Sequence, residues 1–136
     1  MNLTLSPSQI LLYGIAIAGG LIYLPYMVVA YARVSIGMDM NAPRAMFDRL
    51  PDYAKRATWA HQNSFEVFAL FAAASLVAYV TNVASDKTSL YVIVFLAARF
   101  LFSTFYILNL PWLRSPMWAI GMVCIASLFS ASLSLA

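Results

Sequence analysis

Residues 115–136 carry no charged side chain, and neither do residues 67–85, residues 100–113, nor residues 1–34 apart from Arg33. Runs of that length cannot be laid along water-facing helices. A soluble domain draws about a quarter of its residues from Asp, Glu, Lys and Arg, whereas this chain draws 10%. With 63% of its 136 residues hydrophobic, the chain is also far too apolar to be disordered. The surroundings implied are those of a lipid bilayer.

A hydrocarbon layer about 30 Å thick is crossed by about 20 residues of α-helix, each rising about 1.5 Å. Four spans fit, near residues 8–32, 61–82, 90–108 and 117–135. A closed β-barrel would need apolar and polar residues in strict alternation, a pattern the sequence lacks. The expected fold is therefore all-α, a four-helix up-down bundle in which short connections at 83–89 and 109–116 set successive helices antiparallel. The long connection, 33–60, has turn signals at Asn41-Ala42-Pro43 and Leu50-Pro51-Asp52 and is expected to hold a short interfacial turn. Asp52 reads as the N-cap of a second helix that stands two turns or more above the membrane. Residues 1–136 read as one transmembrane domain.

The apolar run near the N-terminus is not expected to be a cleaved signal. Residues 1–9 carry no Lys or Arg, and the run is too long for a signal h-region. The net charge of +3 is segregated: Arg33, Arg44, Arg49, Lys55 and Arg56 fall between the first two spans and Arg114 between the last two, while Lys87 falls on the opposite side. The positive-inside rule then puts those two connections in the cytoplasm and both termini outside it, as in a multi-pass protein of a bacterial inner membrane. This segregation explains the charge better than nucleic-acid binding does. The single cysteine, Cys124, lies within the fourth span, which excludes an internal disulfide or a zinc cluster and points to packing.

Polar residues inside the spans are the informative ones. Glu66 lies well into the second helix, where a carboxylate near the bilayer centre costs about 2.5–3.5 kcal/mol and needs a partner. Asn63 precedes it by three residues and shares its face, on a stripe that Arg56, Trp59 and Leu70 continue. Arg99 begins a second stripe with Ser103 and Tyr106, and its charge is opposite to that of Glu66, which invites pairing between neighbouring helices. Antiparallel topology brings Arg33, Asn63, Glu66, Arg99, Tyr106, Arg114 and Ser115 to one end of the bundle. The span from Arg99 to Tyr106, about 10 Å of helix, sets a common depth for them. A pocket so lined, with more arginine than carboxylate, suits an anionic ligand.

Plainer readings exist for each residue. Arg33 and Arg114 could be snorkelling anchors, Glu66 with Arg99 a structural ion pair, and Tyr106 an interfacial aromatic. His61 reads as a boundary residue with a hydrogen-bonded ring. It sits about 140° round the helix from Glu66, so the two cannot hold one metal ion from a single face. Small residues four apart, at Gly14/Ala18, Ala16/Gly20, Ala69/Ala73 and Ser127/Ala131, let helix backbones approach closely, and Pro25 is expected to kink the first helix.

The run Arg56-Ala57-Thr58-Trp59-Ala60-His61-Gln62-Asn63-Ser64-Phe65-Glu66, followed by Arg99, Tyr106 and then Arg114-Ser115, resembles the membrane-associated proteins in eicosanoid and glutathione metabolism over essentially the whole chain. The resemblance implies a homotrimer that binds glutathione between subunits near the cytoplasmic face. It assigns Asn63, Glu66, Arg99 and Tyr106 to the tripeptide, Arg114 and Ser115 to its sulfur, and Arg33 to the site of the adjacent subunit. Two positions depart from the pattern. Gln62 stands where prostaglandin synthase relatives have a ligand-binding arginine, and Phe102 where some have a histidine; Lys55 and Arg56 are the cations nearest to replace them.

The implied chemistry is a glutathione transferase or peroxidase reaction on a lipophilic electrophile or a lipid hydroperoxide that arrives from the bilayer. A thiol with a pKa of about 8.5 is mostly protonated at neutral pH, and bringing it to about 6.5 takes about 2.7 kcal/mol of preferential stabilisation of the anion. Arg114 and the Ser115 hydroxyl would supply it, while Glu66 and Arg99 hold the charged ends of the tripeptide. Two other functions fit the same residues: a lipid or glutathione binder without turnover, and a small proton-coupled exporter. The exporter requires Glu66 to be reachable by protons and free of arginine.

Overall fold

In a computed structural model, residues 5–134 are described, and they form four helices long and apolar enough to cross a membrane. These are α1 (Pro7–Ser35), α2 (Asp52–Val80), α3 (Asp86–Ile107) and α4 (Pro111–Leu133), with a 3-10 helix, Pro43–Arg49, in the long connection. The protein is thus a multi-pass integral membrane protein with the all-α bundle that the four apolar runs require. The outermost residues, including Leu135 of the expected fourth span and both chain ends, lie outside the described residues.

The helix ends fall where local chemistry puts them, which differs from the apolar boundaries. Asp52 is the first residue of α2 rather than its cap; Pro51 occupies the N-cap position and makes no side-chain bond. The Asp52 carboxylate still complements the positive end of the helix dipole. In α3, Ser85 and Thr88 form a reciprocal capping box, so the helix starts at Asp86, ahead of the expected residue 90. α4 starts at Pro111, well before residue 117, because proline with its fixed φ suits the first helical position. Arg114 and Ser115 therefore stand inside α4 and not in a loop ahead of it.

Asparagine makes the tight connections possible. Asn82 and Asn109 adopt φ of 57° and 60°, and Gly37 does the same at the end of α1 with φ 86°. After α3, Leu110 N–H donates to the Phe105 carbonyl at 2.9 Å and Asn109 N–H to that of Tyr106 at 3.2 Å, a Schellman closure. The Ile107 carbonyl is taken by Arg56 Nε of α2 at 3.0 Å, so Arg56 ties two helices together.

Two apolar clusters hold the bundle. The larger joins Leu11 and Ala18 of α1, Phe71, Ala74 and Ala78 of α2, Val92 and Phe95 of α3, and Cys124, Ile125 and Leu128 of α4. At its centre Phe71 and Phe95 stack face to face with ring centres 3.8 Å apart. Gly14 lets α1 approach here, since a Cβ at that position would collide with Val92. The smaller cluster, at the other end, joins Val29 and Ala32 to Leu50, Ala54 and Ala57, with Phe47 of the 3-10 helix and Ile107 packed against them. Within the bundle α2 and α3 touch each other and both outer helices, whereas α1 and α4 scarcely meet. That order puts α1 and α4 on opposite flanks.

Candidate functional site

Between the two apolar clusters lies a polar layer centred on Asn63 and Arg99. Arg99, only 5% exposed, donates through Nη2 to Asn63 Oδ1 at 3.1 Å and to Ser64 Oγ at 3.3 Å. The Ser64 hydroxyl in turn donates to the Ala60 carbonyl at 2.8 Å. The guanidinium carbon stands 4.2 Å from the centre of the Phe102 ring, and the Arg99 stem runs beside Gly121, where a Cβ would sit 3.7 Å from Arg99 Cδ. Arg99 and Ser64 also line a small cavity of about 10 Å³, and Arg99 Nη1 is buried with no hydrogen-bond partner in the protein.

The expected ion pair between Glu66 and Arg99 does not form. Asn63 stands between them, accepting from Arg99 at Oδ1 while its Nδ2 donates to Glu66 Oε2 at 3.5 Å. The reason is rotational. Ser64, one residue beyond Asn63, turns into the core, whereas Glu66 falls on the outward face of α2 and is exposed.

A ladder of two rings between two cations runs from this layer along α3 to α4. Phe102 meets Tyr106 edge to face at 5.5 Å, and the Arg114 guanidinium carbon stands 4.4 Å from the centre of the Tyr106 ring. Asn63, Tyr106, Arg114 and Ser115 line one pocket of about 260 Å³ between α2, α3 and α4, with Trp59, Phe102 and Trp118 as its apolar walls. No acidic residue lines it. Arg114 also sits in the first turns of α4, where the helix dipole is positive and a cation is disfavoured unless an anion is near. The pocket thus has the chemistry of an anion site with an aromatic wall.

Of the residues expected at one site, Asn63, Tyr106, Arg114 and Ser115 line this pocket, Arg99 and Glu66 join it through Asn63 without lining it, and Arg33 is placed apart. It lies at the end of α1, 8% exposed, in a second chamber of about 560 Å³ with Arg44, His61 and Gln62. α2 separates the two chambers because α1 and α4 flank opposite sides of the α2–α3 pair. His61 faces this second chamber, and its ring is held as anticipated, Nδ1 lying 2.8 Å from the Ile22 carbonyl. A carbonyl only accepts, so Nδ1 carries the proton. The neighbouring rings of Tyr26 and Phe65 lie 5.2 and 5.1 Å from it.

Sequence reasoning passed over Trp118 and Ser64. The signal for Trp118 was its spacing, four residues after Arg114 and hence on the same face of α4. Ser64 carried a weaker one, a small hydroxyl next to Asn63 in an otherwise apolar helix. Gln62, the residue at the departing position, is exposed and opens to the second chamber.

A model of the MAPEG family matches residues 10–134. No curated protein and no solved structure matches the chain.

Proposed function

The chain belongs to the MAPEG family, and from that premise we propose that it is a glutathione-dependent transferase or peroxidase acting on lipophilic electrophiles or lipid hydroperoxides within the bilayer. The observation that carries the reading is the shared pocket in which Arg114 and Ser115 face Asn63 and Tyr106. In this reading Arg114 and the Ser115 hydroxyl stabilise the glutathione thiolate, so no general base from the protein is needed. Asn63 and Tyr106 bind the tripeptide, and Glu66 receives its amino group. Apolar substrate reaches the sulfur laterally along α4, whose Pro111, Trp112, Pro116 and Ala119 border an open apolar groove that also touches Ser115.

The fit to glutathione is partial within one subunit. Small-ligand pockets usually enclose about 300–1,000 Å³, and the pocket here, at about 260 Å³, is open on one side. An exposed Glu66 in the middle of a membrane helix is costly against lipid and inexpensive against another protein surface. Both points support an oligomer in which a neighbouring subunit completes the site; the family resemblance implies a homotrimer with Arg33 supplied by the adjacent subunit, and the positive-inside rule puts the arginine-bearing end of the bundle in the cytoplasm. Arg99 enters the reading as part of the same polar layer.

The test uses protein purified in lipid nanodiscs. Glutathione should develop thiolate absorbance at neutral pH, and a soluble aryl halide should be conjugated; both should be lost in Arg114→Ala with the oligomer intact. No thiolate and no conjugation in the wild type would overturn the reading.

One observation favours turnover-free binding: Phe102 is buried between Arg99 and Tyr106 and offers no polar contact where some relatives have histidine. A binder would show glutathione affinity without conjugation. The exporter reading keeps one support, since Glu66 is exposed and bonded to Asn63 rather than to an arginine. It requires that Glu66→Gln abolish transport while leaving glutathione affinity unchanged.

A further inference from the structure

Arg99 has the features of a residue that serves the pocket without entering it. It is 5% exposed, it is not among the residues that line the pocket, and one face of its guanidinium is covered by Phe102. Both of its side-chain hydrogen bonds go to α2, to Asn63 and Ser64. Asn63 does line the pocket.

The orientation of the Asn63 amide follows from its two neighbours. A guanidinium only donates and a carboxylate only accepts, so Oδ1 must face Arg99 and Nδ2 must face Glu66. Were the amide reversed, both contacts would set like against like. Arg99 therefore dictates which end of Asn63 meets Glu66, and the Asn63–Glu66 contact, at 3.5 Å, is loose enough to depend on that alignment.

We propose that Arg99 is a positioning residue: it fixes the Asn63 amide so that Asn63 Nδ2 and the Glu66 carboxylate present themselves to the bound tripeptide as a single donor–acceptor pair, and it makes no contact with the ligand itself. The inference rests on the glutathione reading of the pocket and departs from the assignment of Arg99 to a charged end of the tripeptide. The ammonium of the tripeptide then meets Glu66, one remaining hydrogen of Asn63 Nδ2 is free for a ligand carbonyl, and the ligand carboxylates are left to residues outside this layer.

The experiment is a thermodynamic cycle on intact protein in nanodiscs. Glutathione affinity is measured by calorimetry for the wild type, Arg99→Gln, Asn63→Ala and the double variant, and again with the two glutathione analogues in which one carboxylate is an amide. A hydrogen bond to a charged group is typically worth about a tenfold or larger change in affinity. Each single substitution should weaken binding by about tenfold, and the double variant should be no weaker than the worse single one. The cost of Arg99→Gln should be the same for glutathione and for both amides. Arg99→Lys, which keeps a cation and a donor, should bind within about threefold of wild type, and kcat at saturating glutathione should be unchanged in it while KM follows affinity. Multiplying effects in the double variant, or an Arg99→Gln cost that vanishes with one amide, would show direct contact and overturn the inference alone. Failure of the wild type to bind glutathione would overturn the reading of the pocket and this inference with it.

Discussion

The Arg114 guanidinium carbon lies 4.4 Å from the centre of the Tyr106 ring. The contact joins the start of α4 to the end of α3, and it holds a cation against the adverse positive end of its own helix. Tyr106 thus acts as a platform as well as a phenol, and substitutions separate the two. Tyr106→Phe keeps the ring and should change glutathione KM by less than about threefold, whereas Tyr106→Leu removes the platform, worth about 0.5–2 kcal/mol, and should raise KM by roughly 2- to 30-fold. Steady-state kinetics with varied glutathione checks both, and equal effects would discount the ring contact.

Arg114 itself is expected to matter at the chemical step. Removal of one preorganised group that stabilises developing or existing negative charge typically lowers kcat by about 10²–10³. Arg114→Ala should show that loss with unchanged melting in detergent; unaltered kcat would remove Arg114 from the reaction.

For Arg99 the structure reverses the sign that an ion pair would give. If Glu66 leaned on Arg99, an apolar replacement would strand a carboxylate and cost about 3–5 kcal/mol. Because Glu66 is exposed and bonded to Asn63, and Arg99 Nη1 is buried without a partner, Arg99→Met should leave the detergent melting temperature unchanged or raise it. A large fall in melting temperature would point back to the pair.

Gly14 offers a packing test remote from the pocket. A Cβ there meets Val92 Cγ1, so Gly14→Ala should destabilise the bundle by about 1–3 kcal/mol through overpacking between α1 and α3. Val92→Ala in the same chain clears the space, and the double variant should melt above Gly14→Ala alone.

The left-handed asparagines can be checked in the same assay. Asn109 at φ 60° closes α3, and Asn109→Ala should cost about 1 kcal/mol while Asn109→Gly should be neutral or stabilising. Equal melting of the three proteins would argue against the closure.

The spans were legible in the sequence because lipid tolerates so few charges that their absence marks each helix. The helix ends were less so. Pro111 and the Ser85/Thr88 box begin helices inside stretches that hydropathy treats as connections, and their effect is local chemistry that a hydrophobic window averages away. The gathering of Asn63, Tyr106, Arg114 and Ser115 followed from antiparallel topology alone. The separation of Arg33 did not, since it depends on which helices are neighbours, and spans that are apolar over most of their circumference leave little in the sequence to say so. The Asn63 relay was hidden for a related reason: opposite charges suggest pairing, but only the rotation of α2 tells which of residues 63, 64 and 66 meets α3.

The bond from His61 to the Ile22 carbonyl bears on how the chain is made. Pro25 withholds from the first helix the amide that would cover the Leu21 carbonyl, next to Ile22, and a lone imidazole is ill suited to hydrocarbon. The imidazole has this carbonyl of Ile22 as its partner only once both helices are side by side. A ribosome-bound chain that released the first helix into lipid before the second emerged would leave that bond unmade, so the two are best delivered from the translocon together, as a preformed hairpin.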